Sequence, residues 1–272
     1  MSCPAHHHDR RTFIGLLGVG LAATLSGCAS PNTAAGPATQ ALQPLNTTPA
    51  TPPLPPIPAA HPGPATTIRH GVAGSRKFCL TIDDGFCKDC VAGYVNFVRR
   101  TGIHITFSPN GTYASSWAPQ ADTLKPLIER QQVQIINHTF SHKDMRQMTD
   151  AQITAELERN EHWVNRTFGI TTRPYYRPPF GFHNPHVDGV AGTLGYTKAV
   201  MWDGSYSDSE VITPEFLISQ AQLYLKPGVI MLGHANHPTV LGLFDQIMAL
   251  IRQRDLTPVT LDEMFGTSRA TG

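Results

Sequence analysis

Forty consecutive residues, Ala29 to Ile68, contain no Asp, Glu, Lys or Arg. Such a stretch, rich in Pro, Thr and Ala, cannot bury a core of its own. The rest of the chain lacks any excess of one charge. Lys plus Arg total 21 against 20 for Asp plus Glu, a formal net charge of +1. With no basic stripe to release counterions, nucleic acid is excluded as a partner. Also missing is an uninterrupted apolar run of the roughly 20 residues that a confident membrane span needs. Five cysteines do not by count alone make a disulfide framework. What remains is an ordinary globular composition, 40% hydrophobic over 272 residues, room for one large domain or two small ones.

The organisation begins at the N-terminus. Arg10 and Arg11 stand directly before an uncharged apolar run, Thr12 to Gly27, which is too short and Gly-rich to span but fits the h-region of an export signal. The paired arginines resemble a twin-arginine signal, and "LSGC", Leu25 to Cys28, resembles a bacterial lipobox. In such a signal the cysteine is lipidated and becomes the first mature residue. The expectation is therefore a signal peptide at 1–27, a lipid-anchored tether at 28–68 from Cys28, and a folded domain at 69–272. Eleven prolines between Pro31 and Pro64 would hold the tether extended. His6, His7 and His8 would leave with the signal and carry no metal role. A lipid anchor, a stiff spacer and a domain of about 200 residues make the layout of an exported lipoprotein on the outer side of the cytoplasmic membrane.

Within the domain, short β-rich runs alternate with longer amphipathic ones. "RKFCLTI" (76–82), "GIHITFSP" (102–109), "VQIINH" (133–138), "GYTKAVMW" (195–202), "GVIMLG" (228–233) and "TPVTL" (257–261) read as strands. Ile153, Leu157, Val164 and Phe168 mark one helix face, with Thr149 and Asp150 at its expected N-cap. Val240, Phe244, Ile247, Met248 and Ile251 mark another. The alternation predicts an α/β fold with a parallel sheet covered by helices, and about seven strands favour a barrel over an open sheet. Functional residues then belong at the C-terminal ends of the strands.

The candidates lie there. Asp83, Asp84 and Gly85 follow the first strand, and "NHTFSH" supplies His138 and His142 after "VQII". If that segment turns helical, residues four apart share a face and both imidazoles reach one ion. One carboxylate and two histidines leave coordination positions open, as catalytic zinc requires. Residue 139 is Thr, so the H-E-x-x-H peptidase reading has no general base. "YYRPPFG" places Arg177 ahead of Pro178 and Pro179, a stiff turn, and "IMLGHANHP" places His234 beyond the penultimate strand.

Taken together and in order, these segments resemble the polysaccharide deacetylase family with the NodB homology domain, carbohydrate esterase family 4. "TIDDG" resembles its first motif, "HTFSH" its second, "RPPFG" its third, "DGSYSDS" loosely its fourth, and "LGH", Leu232 to His234, its fifth. The resemblance runs from about Lys77 to Phe265. It implies a zinc-dependent amide hydrolase on a distorted (β/α) barrel, removing acetyl groups from N-acetylated sugars of an envelope glycan such as peptidoglycan. By resemblance, Asp84, His138 and His142 would ligate the metal, and Asp83 would be the general base. Arg177 would pair with Asp83 and aim it. The backbone N–H of Phe180 would help hold the oxyanion, Leu232 would lie at the substrate, and His234, supported by Asp208, would be the general acid. An amide leaves badly as an anion, so a proton donor must stand opposite the water-activating base. An imidazole whose pKa a carboxylate raises suits that work.

Departures from the pattern are specific. Ile82 replaces Phe, and Phe180 replaces Tyr. In the fourth motif Ser205 and Ser209 stand at the first Asp and the Trp, leaving Asp208, with Asp203 as a second candidate. That loss leaves open another amide or an O-acetyl ester as substrate, or a catalytically silent glycan-binding lipoprotein. A site of two His and one carboxylate also suits non-haem iron or another divalent metal, but the adjacent base and acid favour hydrolysis. Cys87 and Cys90 find no partner Cys-x-x-Cys for a structural zinc site. Outside the cytoplasm they are expected to form a disulfide, with free or differently paired thiols the alternative. Cys79 reads as a buried thiol.

Overall fold

The computed structural model describes residues 59–72 and 74–266. The expected signal at 1–27, the lipidation site Cys28 and the tether up to residue 58 lie outside the described residues. Among those described, no helix is long and apolar enough to cross a membrane.

Among the described residues, nine strands and eight α-helices follow one another as β1 (Thr66–Ile68), β2 (Lys77–Asp84), α1 (Lys88–Thr101), β3 (Ile105–Pro109), α2 (Ala114–Trp117), α3 (Ala121–Glu129), β4 (Val133–Ile135), α4 (Asp150–Phe168), β5 (Tyr175–Tyr176), α5 (Pro185–Thr193), β6 (Lys198–Val200), β7 (Gly204–Ser205), α6 (Pro214–Tyr224), β8 (Ile230–His234), α7 (Phe244–Gln253), β9 (Thr257–Pro258) and α8 (Leu261–Phe265). All strand ladders are parallel. One sheet runs β4-β3-β2-β8-β7, with β9 also against β2, and the other runs β1-β6-β5. A parallel bridge from Asn137 to Tyr176 joins them on one side, and an antiparallel bridge from His70 to Val229 approaches on the other. The expected distorted barrel of parallel strands is the fold observed.

Strand β2 explains its own central place. A parallel strand covered on both faces needs a near-continuous apolar run, and Phe78, Cys79, Leu80 and Ile82 supply it, all essentially inaccessible. After the exposed Lys77 at its start, the strand carries no charge until the run ends in Asp83 and Asp84, at its C-terminal end. Helix α4 starts from a capping box between Thr149 and Gln152 and stops at Gly169, in the left-handed conformation. Its expected face, Ile153, Leu157, Val164 and Phe168, is buried. In α7 the expected face is also buried except for partly buried Met248, and Val240 belongs to the short turn before the helix.

Two expectations need correction. Strands β1, β5 and β7 have only two or three residues, too few for an alternating pattern to register. The domain also begins before Arg69. Thr66–Ile68 pairs in register with Lys198–Val200, and the Gly63 N–H donates to the Gly192 carbonyl at 3.1 Å. The end of the expected tether is thus part of the sheet, because an uncharged Thr-Thr-Ile edge strand looks in sequence like more spacer.

Candidate active site

Successive side chains of a strand point to opposite faces, so Asp83 and Asp84 should diverge. The left-handed backbone of Asp84, φ 69°, breaks the alternation. Both carboxylates consequently face His138, whose Nε2 lies 3.5 Å from Asp83 Oδ2 and 3.4 Å from Asp84 Oδ1. The unusual backbone is held from outside. Trp117 Nε1–H donates to the Asp84 carbonyl at 2.7 Å, and Asn236 Nδ2 donates to Asp84 Oδ2 at 2.7 Å. Asn236 Oδ1 also accepts the Phe86 N–H at 3.2 Å. Gly85, φ 120°, is required next: a Cβ there would lie 1.9 Å from Trp117 Nε1.

The two histidines come together differently from the helix expected. Residues 138–142 form a loop in which Thr139 (φ 64°) and His142 (φ 52°) are both left-handed. Buried polar groups over-determine it. Asn110 Nδ2 donates to the His138 and Thr139 carbonyls, Asn137 Oδ1 accepts from Thr139 N–H at 2.9 Å, and Glu156 accepts from both the amide and hydroxyl of Ser141 at 2.7 Å. His142 Nε2 reaches to 3.5 Å from Asp84 Oδ1. Nothing in the spacing of Asn110, Glu156 or Asn236 from the motifs singled them out, because their partners are far away in sequence.

Asp84, His138 and His142 form a candidate metal site, one ligand atom from each lying within 4.8 Å of the others. The donor set fits a divalent cation on two counts. Asp84 Oδ1 is buried with no hydrogen-bond partner, an arrangement that costs free energy unless something positive satisfies it. His138 Nδ1–H donates to the Arg177 carbonyl at 2.8 Å, which leaves Nε2 with its lone pair toward Asp84. Electrostatics agree. Burial opposes ionisation of Asp84, yet the neighbouring His138 imidazole, with His142 and His234 behind it, holds its carboxyl well below the ordinary range. Burial and then the charge of His138 push His142 down to about 4, so it is neutral and able to ligate. For His138 burial favours the neutral ring, but Asp83 and Asp84 outweigh it and raise the pKa. A bound cation would displace that proton.

Around these donors stand the remaining expected residues. Arg177 is fully buried; its Nη1 donates to Asp83 Oδ1 at 2.7 Å and Thr81 Oγ1 at 2.9 Å, and its Nε to the Val200 carbonyl at 3.2 Å. Asp83 and His234 are direct partners in the β2–β8 register. His234 Nδ1–H donates to Asp208 Oδ1 at 2.8 Å, and its backbone N–H to Asp208 Oδ2 at 3.1 Å. Burial works against charging His234, but the Asp208 hydrogen bond and charge prevail and raise its pKa. Leu232, buried, lies two residues earlier and shares the face of His234. Phe180 has a left-handed backbone, φ 60°, and its ring packs edge-on to His142 at 4.5 Å. The turn it occupies is closed by the amides of Gly181 and Phe182, and that of Phe180 is not used in it.

Asp203, the second candidate for supporting His234, is placed elsewhere. Its Oδ1 accepts the Ile230 N–H at 3.0 Å and its Oδ2 pairs with His70, at the beginning of β8 rather than its end. Ser209 offers its carbonyl to His237 at 3.2 Å, and the Trp202 ring lies near Arg177, 5.8 Å from its guanidinium, beside the 177–181 turn. Cys87 and Cys90 form a disulfide at the N-terminus of α1, and Cys79 is a buried free thiol whose pKa burial pushes far up. The cysteines therefore stand outside the donor set.

A parallel barrel with a three-donor site at its strand ends, flanked by a carboxylate held by arginine and an imidazole held by a carboxylate, defines a class with hydrolytic machinery. The comparisons with known proteins name it. The family model for polysaccharide deacetylase matches residues 70–199, so the chain is similar to that family, carbohydrate esterase family 4. It is 28% identical to a chitin deacetylase of Pestalotiopsis sp over 214 residues, 76% of this chain and 70% of that one. Its fold is similar to a solved peptidoglycan N-acetylglucosamine deacetylase, with TM-score 0.66 at 19% identity, covering 74% of this chain and 94% of the other. A family 4 pseudoenzyme of Bacillus anthracis is also similar, with TM-score 0.64 at 16% identity, covering 73% and 68%. At those identities the two structures speak to the fold.

Proposed function

We propose that the domain is a metal-dependent hydrolase that removes N-acetyl groups from an envelope polysaccharide, peptidoglycan or another N-acetylglucosamine polymer, as an exported lipoprotein. The observation that carries the reading is the register of Asp83 beside His234 on neighbouring strands, each with its own supporting partner, next to three convergent donors. The relatives named as chitin and peptidoglycan deacetylases favour a glycan amide as the substrate.

A zinc or other divalent ion held by Asp84, His138 and His142 would supply a Lewis acid for the amide carbonyl and lower the pKa of water. Asp83 accepts the proton of the attacking water, with Arg177 and the strand register fixing its carboxylate. The Phe180 N–H, free of the turn's own bonds, donates to the oxygen on which charge develops. His234, kept protonated toward higher pH by Asp208, donates to the departing nitrogen, so that an amine rather than an amide anion leaves. The similarity to a pseudoenzyme raises a silent glycan binder as the second reading, against which stands the presence of base, acid and both supporting partners. Acetate release by the zinc-loaded chain, tested on peptidoglycan, N-acetylglucosamine oligomers and an O-acetylated glycan, decides between them. Release from the N-acetylated substrates that a chelator abolishes supports the proposal. Release only from the ester changes the substrate, and binding without release from any substrate leaves the silent binder.

A further inference from the structure

Asn236 lies two residues beyond the end of β8, outside the motifs, and its side chain makes three bonds to the turn that follows β2. Nδ2 donates to Asp84 Oδ2 at 2.7 Å, and Oδ1 accepts the N–H groups of Phe86 at 3.2 Å and Gly85 at 3.4 Å. The places of its nitrogen and oxygen are forced, since an ionised carboxylate only accepts and a backbone N–H only donates. Its main chain is fixed as well. The Ala235 N–H donates to the Asp83 carbonyl at 3.0 Å, and the Ala235 carbonyl accepts the Cys87 N–H at 3.1 Å, so the β2–β8 pairing continues past both strand ends. A residue needed only to accept the two backbone amides could be an aspartate. A side-chain amide is called for by Asp84, against which a second carboxylate would set acceptor to acceptor and charge to like charge.

The bond from Asn236 makes the two oxygens of Asp84 unequal. Oδ2 is taken, while Oδ1, buried and without a hydrogen-bond partner, lies 3.4 Å from His138 Nε2 and 3.5 Å from His142 Nε2. A carboxylate free to turn about its terminal torsion can offer a cation one oxygen or both. We propose that Asn236 is a positioning residue that confines Asp84 to a single ligand oxygen. Three protein donors are then presented to the metal, and its remaining positions are kept for water and the substrate carbonyl. This rests on the metal-dependent reading above, and it gives the setting of ligand number to a residue that touches neither substrate nor metal.

The test uses the full chain, stripped of metal and titrated with zinc against a competing chromophoric chelator. Zinc affinity should fall about 10–100-fold in Asn236→Leu and in Asn236→Ala, as expected for loss of a ligand's supporting hydrogen bond. With zinc saturating, acetate release from N-acetylglucosamine oligomers should lose kcat with KM unchanged, because the misplaced ligand matters in the transition state rather than in substrate binding. Gln132→Leu separates positioning from simple loss of stability. Gln132 stands just before β4, at the opposite end of the strands, and its Nε2 donates to the Val98 and Ile103 carbonyls at 2.9 and 3.3 Å. That variant should melt at lower temperature with zinc affinity unmoved. Wild-type affinity in both Asn236 variants, or an equal loss in Gln132→Leu, overturns the proposal while leaving the metal-dependent reading intact. A wild-type chain that binds no zinc overturns both. Asn236-dependent zinc binding with no acetate released from any substrate supports the positioning role and overturns the hydrolase reading instead.

Discussion

Two His–Asp pairs sit at opposite ends of strand β8, and their difference separates a catalytic arrangement from a structural one. At the C-terminal end, buried Asp208 and partly buried His234 share two hydrogen bonds, and His234 faces Asp83 across the register. At the N-terminal end, Asp203 caps the Ile230 amide and meets His70, whose side chain is half exposed beside a bridge to Val229. The residue types are the same. The first pair lies where two more carboxylates, two more imidazoles and an arginine converge, and the second fastens the incoming chain to the barrel. The lesson is that a carboxylate beside a histidine becomes a proton donor's support only where burial removes water and a reacting group has room opposite.

The largest effect should come from the partner of the first pair. Asp83→Asn preserves shape but removes the base, and deacetylation should fall about 10³-fold with zinc content by metal analysis unchanged. Asp208→Asn should cost about 10²-fold by loss of a charged hydrogen-bond partner. It should also move a pH profile. Asp208 raises the His234 pKa, so activity that needs the protonated imidazole is present below that pKa and is lost as pH rises through it. Without Asp208 the alkaline limb of kcat/KM should shift to lower pH. The distal pair should answer in the opposite way. Asp203→Asn should leave the rate within about twofold and lower the thermal midpoint by a few degrees, about 1 kcal/mol for one lost interaction in a domain of this size. An Asp203→Asn enzyme as impaired as Asp208→Asn would break the comparison. The smallest effect is one of boundary. A chain starting at Arg69 lacks β1 and should melt several degrees below one starting at residue 59, with the pH profile of activity unmoved.

Much of this site was legible in sequence because the chemistry is concentrated at strand ends. Asp83, Asp84 and His234 close apolar runs that mark where the strands stop, and Arg177 stands out by the two prolines after it. Less legible was how His138 and His142 meet. Their spacing suggested a helix, and a loop with two left-handed residues does the work instead, held by Asn110, Asn137 and Glu156 through contacts that no local pattern encodes. The preference for Asp208 over Asp203 rests on the motif alignment, and no local pattern supports it. Both lie near the fourth motif, and only the course of the chain past β7 decides which reaches His234. Short edge strands escaped for a simpler reason, since two or three residues carry no period.

The most direct test of the account is acetate release from N-acetylglucosamine oligomers and peptidoglycan by the full chain, measured with zinc, after chelation, and with Asp83→Asn. Release that needs zinc and that the substitution abolishes is the expected result and establishes the activity and its base together. Release that survives Asp83→Asn would contradict the mechanism, and no release from a folded, zinc-bound protein would contradict the deacetylase reading itself.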